Sequence, residues 1–235
     1  MQKKEIIKRY ILFIISLFFA ALGVAFTKRG ELGVSPISSV ANVLSLKFSA
    51  LSMGSWLIVW NCVLIVGQIV ILRKNFKPIQ LLQVPLSFLF GWFTDLGMKI
   101  VGYIPVNTYL VRLGLVVLGV AILGFGISLA VIANVIMNSG EAFVKAISDT
   151  IKKNFGNVKI AFDIFCVTLS IILSLILFDF TIVGTREGTI ISAFLTGMFV
   201  KLFTKLLNKP VSKMLCTAAM SSKSSTARPE KKHRL

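Results

Sequence analysis

The chain has 235 residues, 56% hydrophobic and only 15% charged, whereas soluble proteins average about 45–50% apolar and about 25% charged; with a mean hydropathy of +0.87, this excludes an ordinary water-soluble domain. A net charge of +17 on a soluble chain would suggest nucleic acid. Here the cations stand at the ends of apolar runs, where membrane topology places them, and no nucleic-acid partner is expected.

In chain order, Lys3, Lys4, Lys8 and Arg9 precede the first apolar run. That run has no clear small-x-small cleavage site and further runs follow, so residues 1–9 read as a cytoplasmic N-terminus and the run as a retained span. A spanning helix needs about 20 mostly apolar residues. Six stretches meet this, near 10–26, 55–72, 79–101, 109–133, 158–178 and 189–207. The predicted fold is therefore all-α, a polytopic membrane protein whose partner is the lipid bilayer. Arg73, Lys74 and Lys77 fill the turn after the second span, Lys145, Lys152 and Lys153 lie between the fourth and fifth, and Lys205, Lys209 and Lys213 follow the sixth. With six spans these clusters and the N-terminal one share a face, which puts both termini in the cytoplasm. Pro78 and Pro85 fall early in the third span, where proline is tolerated, with Pro85 deep enough to kink it. Trp56, Trp60, Trp92, Tyr103 and Tyr109 lie near span ends, as an interfacial aromatic belt does. Residues 208–235 read as a disordered basic cytoplasmic tail, able to touch anionic lipid.

The chain also echoes itself. Residues 53–61 align with 155–163 at an offset of 102, matching Gly54 with Gly156 and Asn61 with Asp163. Residues 21–25 align with 124–128, and 91–96 with 197–202. Two halves of three spans, 10–102 and 103–207, are expected. An odd span count per half forces them to enter the membrane from opposite sides, an inverted repeat. Each half holds a short segment after its first span, 33–45 and 138–150. At about 1.5 Å per residue these reach roughly 20 Å, too short to cross. They are surface helices or re-entrant half-helices. Ser35 and Pro36 suit an N-cap and first helical position; Ser139 is a possible cap, and Glu141 would fall in a first turn.

Gly33-Val34-Ser35-Pro36 after the first span, its echo Asn138-Ser139-Gly140-Glu141, and the glycines opening the next spans resemble the YczE/YyaS/YitT-type group of bacterial membrane proteins, over roughly residues 8–207. The resemblance implies a bacterial plasma-membrane location and a similar multi-span fold. It supplies no activity and no site residues. The second half departs from the small-residue character of the first, with Glu141 where the first has Pro36.

Ionisable groups inside spans are costly unless paired or wet, and so are functional candidates. Asp163 leads, with Lys159 one helical turn earlier; the two form either a structural pair or a proton or cation site. Asp95 is expected to pair with Lys99, Lys201 to snorkel to the surface, and Gln80 and Gln83 to be wet. Asn61 is deeper and needs a partner, and Asn134 and Asn138 flank the second short segment, where they can line a polar cavity. Cys62, Cys166 and Cys216 show no paired spacing, and the one histidine, His233, lies in the tail. No metal, nucleophile or phosphate-loop motif occurs, so neither an enzyme nor a cofactor is expected. The leading expectation is a secondary transporter of a small solute whose site holds Ser35, Asn61, Asn138, Glu141 and Asp163. The alternative is an accessory membrane protein that binds a partner and transports nothing.

Overall fold

A computed structural model describes residues 3–215. Eight α-helices follow one another: α1 Lys3–Arg29, α2 Pro36–Lys47, α3 Met53–Leu72, α4 Gln83–Val101, α5 Tyr109–Ala133, α6 Ser139–Ile151, α7 Phe155–Leu177 and α8 Glu187–Leu215. Two short 3-10 turns, Arg73–Asn75 and Pro78–Leu82, join α3 to α4, and no strand occurs among the described residues. All helices except α2 and α6 are long and apolar enough to cross a membrane. Their outer faces are apolar, with Val70 64%, Ile176 71% and Phe194 73% exposed, as lipid contact requires. The protein is a multi-pass membrane protein.

Local chemistry sets the helix starts. Ser52 accepts the Ser55 amide at 3.0 Å, Thr108 accepts that of Val111 at 3.4 Å, and Asn154 accepts that of Gly156 at 2.8 Å. Asp95, near the end of α4, adds a second cap to α3: it accepts the Gly54 amide at 2.8 Å and the Ser52 hydroxyl at 2.5 Å. This corrects the expected pairing of Asp95 with Lys99. A carboxylate facing a helix N-terminus is favoured by the free amides and the helix dipole. Asp95→Ala should therefore lower stability by about 1–2 kcal/mol, read as an earlier thermal unfolding transition.

The packing centres on α1 against α5. Around this pair, α4 lies on α1 and α8 on α5. The short helices pack crosswise: α2 contacts α7 and α3, and α6 contacts α3 and α7. One core cluster joins Ala20, Val24, Ala41, Met53, Leu57 and Leu123, from four helices.

Lys8 donates to the Met214 carbonyl at 3.3 Å and Arg9 to the Ala133 carbonyl at 3.0 Å. The start of α1 and the ends of α5 and α8 thus share one end of the bundle, where the four cation clusters gather. At the other end, Lys28 donates to Asn42 and Ser45, Arg29 to the Ile104 carbonyl, and Arg112 pairs with Glu31. The sequence places the end of the last span near 207, yet α8 runs through Pro210 to Leu215, two turns into the expected tail. Leu215 is buried and the Met214 carbonyl accepts Lys8, so tertiary contact holds a turn that proline alone disfavours. The rest of the expected tail, with Cys216 and His233, lies outside the described residues.

Candidate functional site

The first turns of α2 and α6 meet inside the bundle. A Cβ added to Gly140 would stand 2.8 Å from Cδ1 of Ile37, so glycine makes the approach possible. From this meeting point the two helices leave in opposite directions. The second half of α2 reaches Lys28 at the end of α1. The last turns of α6 share a groove with Ile71, Leu72 and Lys77, at the cation-rich end. Neither helix start carries a side-chain cap. Ser35 instead bonds the Ser38 hydroxyl at 3.0 Å, and Asn138, not Ser139, holds the N-cap position of α6.

A buried amide pair fixes the start of α6. Gln68 Nε2 donates to Gln83 Oε1 at 3.0 Å and to the Ser139 carbonyl at 3.2 Å. Gln83 Nε2 returns a bond to Gln68 Oε1 at 3.2 Å. Ser87 and Ser139 lie 3.2 Å apart through their hydroxyls. Gln83 is thus buried, correcting its expected contact with water. The reason is reciprocity: each amide satisfies the other inside an apolar bundle.

Around the two helix starts lies a cavity of about 690 Å³. Phe13, Leu17, Ala20 and Val24 of α1 form one wall, spaced so that they share a helix face. Leu57, Phe90, Leu123 and Ile127 continue it. The polar part is compact. Lys159 and Asp163 form an ion pair with side chains 26% and 20% exposed. Glu141 lines the same cavity, and so does a second lysine, Lys201, so two carboxylates and two ammonium groups border it.

Ser35, Asn61, Asn138, Glu141 and Asp163 all line this one cavity. Asn61 makes no side-chain hydrogen bond to the described residues; its amide is open to the cavity instead of being paired between helices. Asn134 and the exposed Lys201 line the cavity too. Sequence reasoning missed Ser192 and Thr196. Ser192 is fully buried, lines the cavity, and its Oγ has no partner, while Thr196 Oγ1 bonds the Ser192 carbonyl at 2.6 Å. Their only signal was a pair of hydroxyls one turn apart among the apolar residues that open the span.

This arrangement offers a charged cluster, open amide and hydroxyl groups, and two uncapped helix starts at one end of an apolar chamber. Its volume falls in the range of about 300–1,000 Å³ usual for small-molecule sites. No curated protein and no solved structure matches the chain. One family model, described as a family of unknown function (DUF6198), matches residues 7–205, and the chain belongs to that family.

Proposed function

We propose that the protein is a secondary transporter of a small solute in the bacterial plasma membrane, with both termini cytoplasmic and no enzymatic activity. The observation that carries this reading is the convergence of two uncapped half-helix starts and the Glu141–Lys159–Asp163 cluster in one cavity. Short helices that start near the middle of a membrane bundle, opposite a cavity, are how several transporter folds hold polar solutes. Non-helical backbone at that depth is tolerated only where protein buries it or a cavity receives it.

The same reading takes residues 10–102 and 103–207 as inverted halves. The offset alignments support it, as does the reciprocal packing of α2 on α7 and α3 with α6 on α3 and α7. The gathering of Lys and Arg at the end holding the start of α1 supports the cytoplasmic assignment. The family resemblance at Gly33–Pro36 supports the bacterial membrane.

The test is cysteine accessibility. In a chain freed of Cys62, Cys166 and Cys216, single cysteines at Asn61 and Asn138 should react with a membrane-impermeant maleimide in proteoliposomes. A stabilising solute should protect both, because binding to the native state raises stability by mass action. Protection of both positions from water without any solute would favour the accessory-protein reading instead.

A further inference from the structure

The two short helices are each reached by a non-helical connection, residues 30–35 from α1 into α2 and residues 134–138 from α5 into α6. In the repeat read from the sequence these connections are counterparts, yet they are held very differently. In the first, Leu32 is 1% and Val34 0% exposed. The Leu32 carbonyl accepts the Gly188 amide, at the start of α8, at 2.8 Å. Glu31 pairs with Arg112 at 2.9 Å, and Asn42 of α2 donates to the Gly184 carbonyl at 2.6 Å. Gly33, at φ +110°, leaves no room for a Cβ beside Thr189. In the second connection Val135 and Ile136 are half-buried and Met137 is 46% exposed. No hydrogen bond reaches residues 135–137 among the described residues.

The space around the connections differs in the same sense. Val135, Ile136 and Met137 line the chamber and also the groove of about 680 Å³ at the cation-rich end. They are a thin partition between the two, with Asn138 and Lys159 on the chamber side and Lys77 and the Lys145–Asp149 pair on the groove side. From α4, α5 and α7 the chamber takes only residues of the half-helix nearest that end, among them Ser87, Ala130 and Lys159. Toward the other end it reaches Ser35, and the residues before it, Leu32, Gly33 and Val34, are buried and line neither cavity. Two inverted halves that hold the same elements in two arrangements have a second conformation open to them, in which the arrangements are exchanged around the site.

We infer that this is the inward-facing member of a pair of states. Residues 135–137 are the inner gate, between the chamber and a groove that serves as its cytoplasmic mouth. Residues 31–34, clamped on α8 and α5, are the closed outer gate, which opens when the inner one packs. The inference rests on reading the halves as inverted and the chamber as a transport site; it adds the side on which the chamber opens and the residues that gate it.

The experiment uses the full chain, freed of its native cysteines, in right-side-out and inverted membrane vesicles. It reads the rate at which a membrane-impermeant maleimide modifies one introduced cysteine. Asn75→Cys, in the exposed turn after α3, marks the face that holds the cation-rich end. Ser35→Cys, inside the chamber, should react at least about tenfold faster from that face, because the minor state of such a pair is populated at about 0.1–10%. Ile136→Ala thins the partition and should raise that rate several-fold. Gly188→Ala puts a Cβ 2.6 Å from the Leu32 carbonyl oxygen and forces the connection off α8. It should raise the outer rate at Ser35→Cys about tenfold and lower the inner one, since overpacking against backbone destabilises the clamped state. Glu31→Gln adds no atom and removes only the charge facing Arg112, so it should shift both rates the same way by about twofold; it carries the test if Gly188→Ala does not fold. Equal rates from the two faces, or a faster outer rate, would overturn the inward-facing assignment. An inner rate unchanged by Ile136→Ala would overturn the inner gate. Both rates rising together in the clamp variants would mean a leak and overturn the exchange of gates, as would no change in either. The transporter reading is judged separately: one-sided reactivity that the clamp variants leave unchanged removes only the gating, whereas cysteines at Ser35, Asn61 and Asn138 that react from neither face remove both.

Discussion

Asp163→Asn should reduce solute movement about 30-fold or more, the consequence of losing a close charge partner in a desolvated site, while the protein still inserts and remains monodisperse. The neutral amide keeps the shape of the carboxylate and removes only its charge. Lys159→Met should behave differently. It leaves Asp163 without its ion-pair partner, and breaking one side of a buried pair costs about 3–5 kcal/mol. The side chains are 26% and 20% exposed toward the cavity, so the lower end of that range is expected, seen as a clear fall in the unfolding temperature. The double variant Lys159→Met with Asp163→Leu then separates the two meanings of the pair. Replacing both partners by apolar groups should restore most of the stability, and it should not restore transport. Full transport by the double variant would show that the pair only holds α7 together. The assay is uptake into proteoliposomes of whichever solute raises the unfolding temperature of the wild type.

The spans were legible because lipid is a simple solvent: it asks for about 20 apolar residues, and the runs ending at Leu72, Val101 and Ala133 end there in the structure as well. The short segments were legible as too short to cross, and their small residues allowed close approach. Which way they pointed was not, since periodicity along one helix carries no information about its neighbours. The five residues assigned to a site were found by asking which polar groups stand inside apolar spans or at the starts of the two short segments. That question fails in two ways. It names Gln83 as wet, although Gln68, fifteen residues away, exchanges a pair of hydrogen bonds with it in the buried bundle. It overlooks Ser192, because a serine in a span bonds its own backbone by default, and only the packed bundle shows that this one does not. Asp95 was read from the residue one turn along its own helix, whereas the α3–α4 crossing presents it with the stronger partner, an open helix start. That α7 and α8 pack far less closely than α3 and α4 among the described residues had no counterpart in the one-dimensional pattern at all.

Gly119→Leu should prevent the protein from reaching its native packing, and Gly114→Leu, less than two turns away on the same helix, should leave it nearly unchanged. A Cβ at Gly119 would stand 2.8 Å from the Gly23 carbonyl oxygen and 2.7 Å from the Thr27 amide nitrogen, and a Cβ at Gly23 would stand 2.6 Å from the Gly119 carbonyl. These obstacles are backbone, which cannot rotate aside as a side chain can. A Cβ at Gly114 would meet nothing within 4 Å. Close approach of this kind drives helix association in lipid, where there is no water to expel and packing contacts carry the energy. Overpacking costs about 1–3 kcal/mol where side chains can adjust, and occasionally more; against backbone the upper end or beyond is expected. The damage should also reach the site. Val24 and Leu123, beside the crossing, both line the cavity, so pushing α1 from α5 widens the chamber and draws its apolar wall away from the charged cluster. Size-exclusion chromatography and thermal unfolding of the two leucine variants measure the contrast directly. An unfolding temperature for Gly119→Leu within a few degrees of wild type would mean that α1 and α5 slide past each other easily. In that case the α1–α5 contact is a moving joint between the halves, not a fixed axis about which they are built.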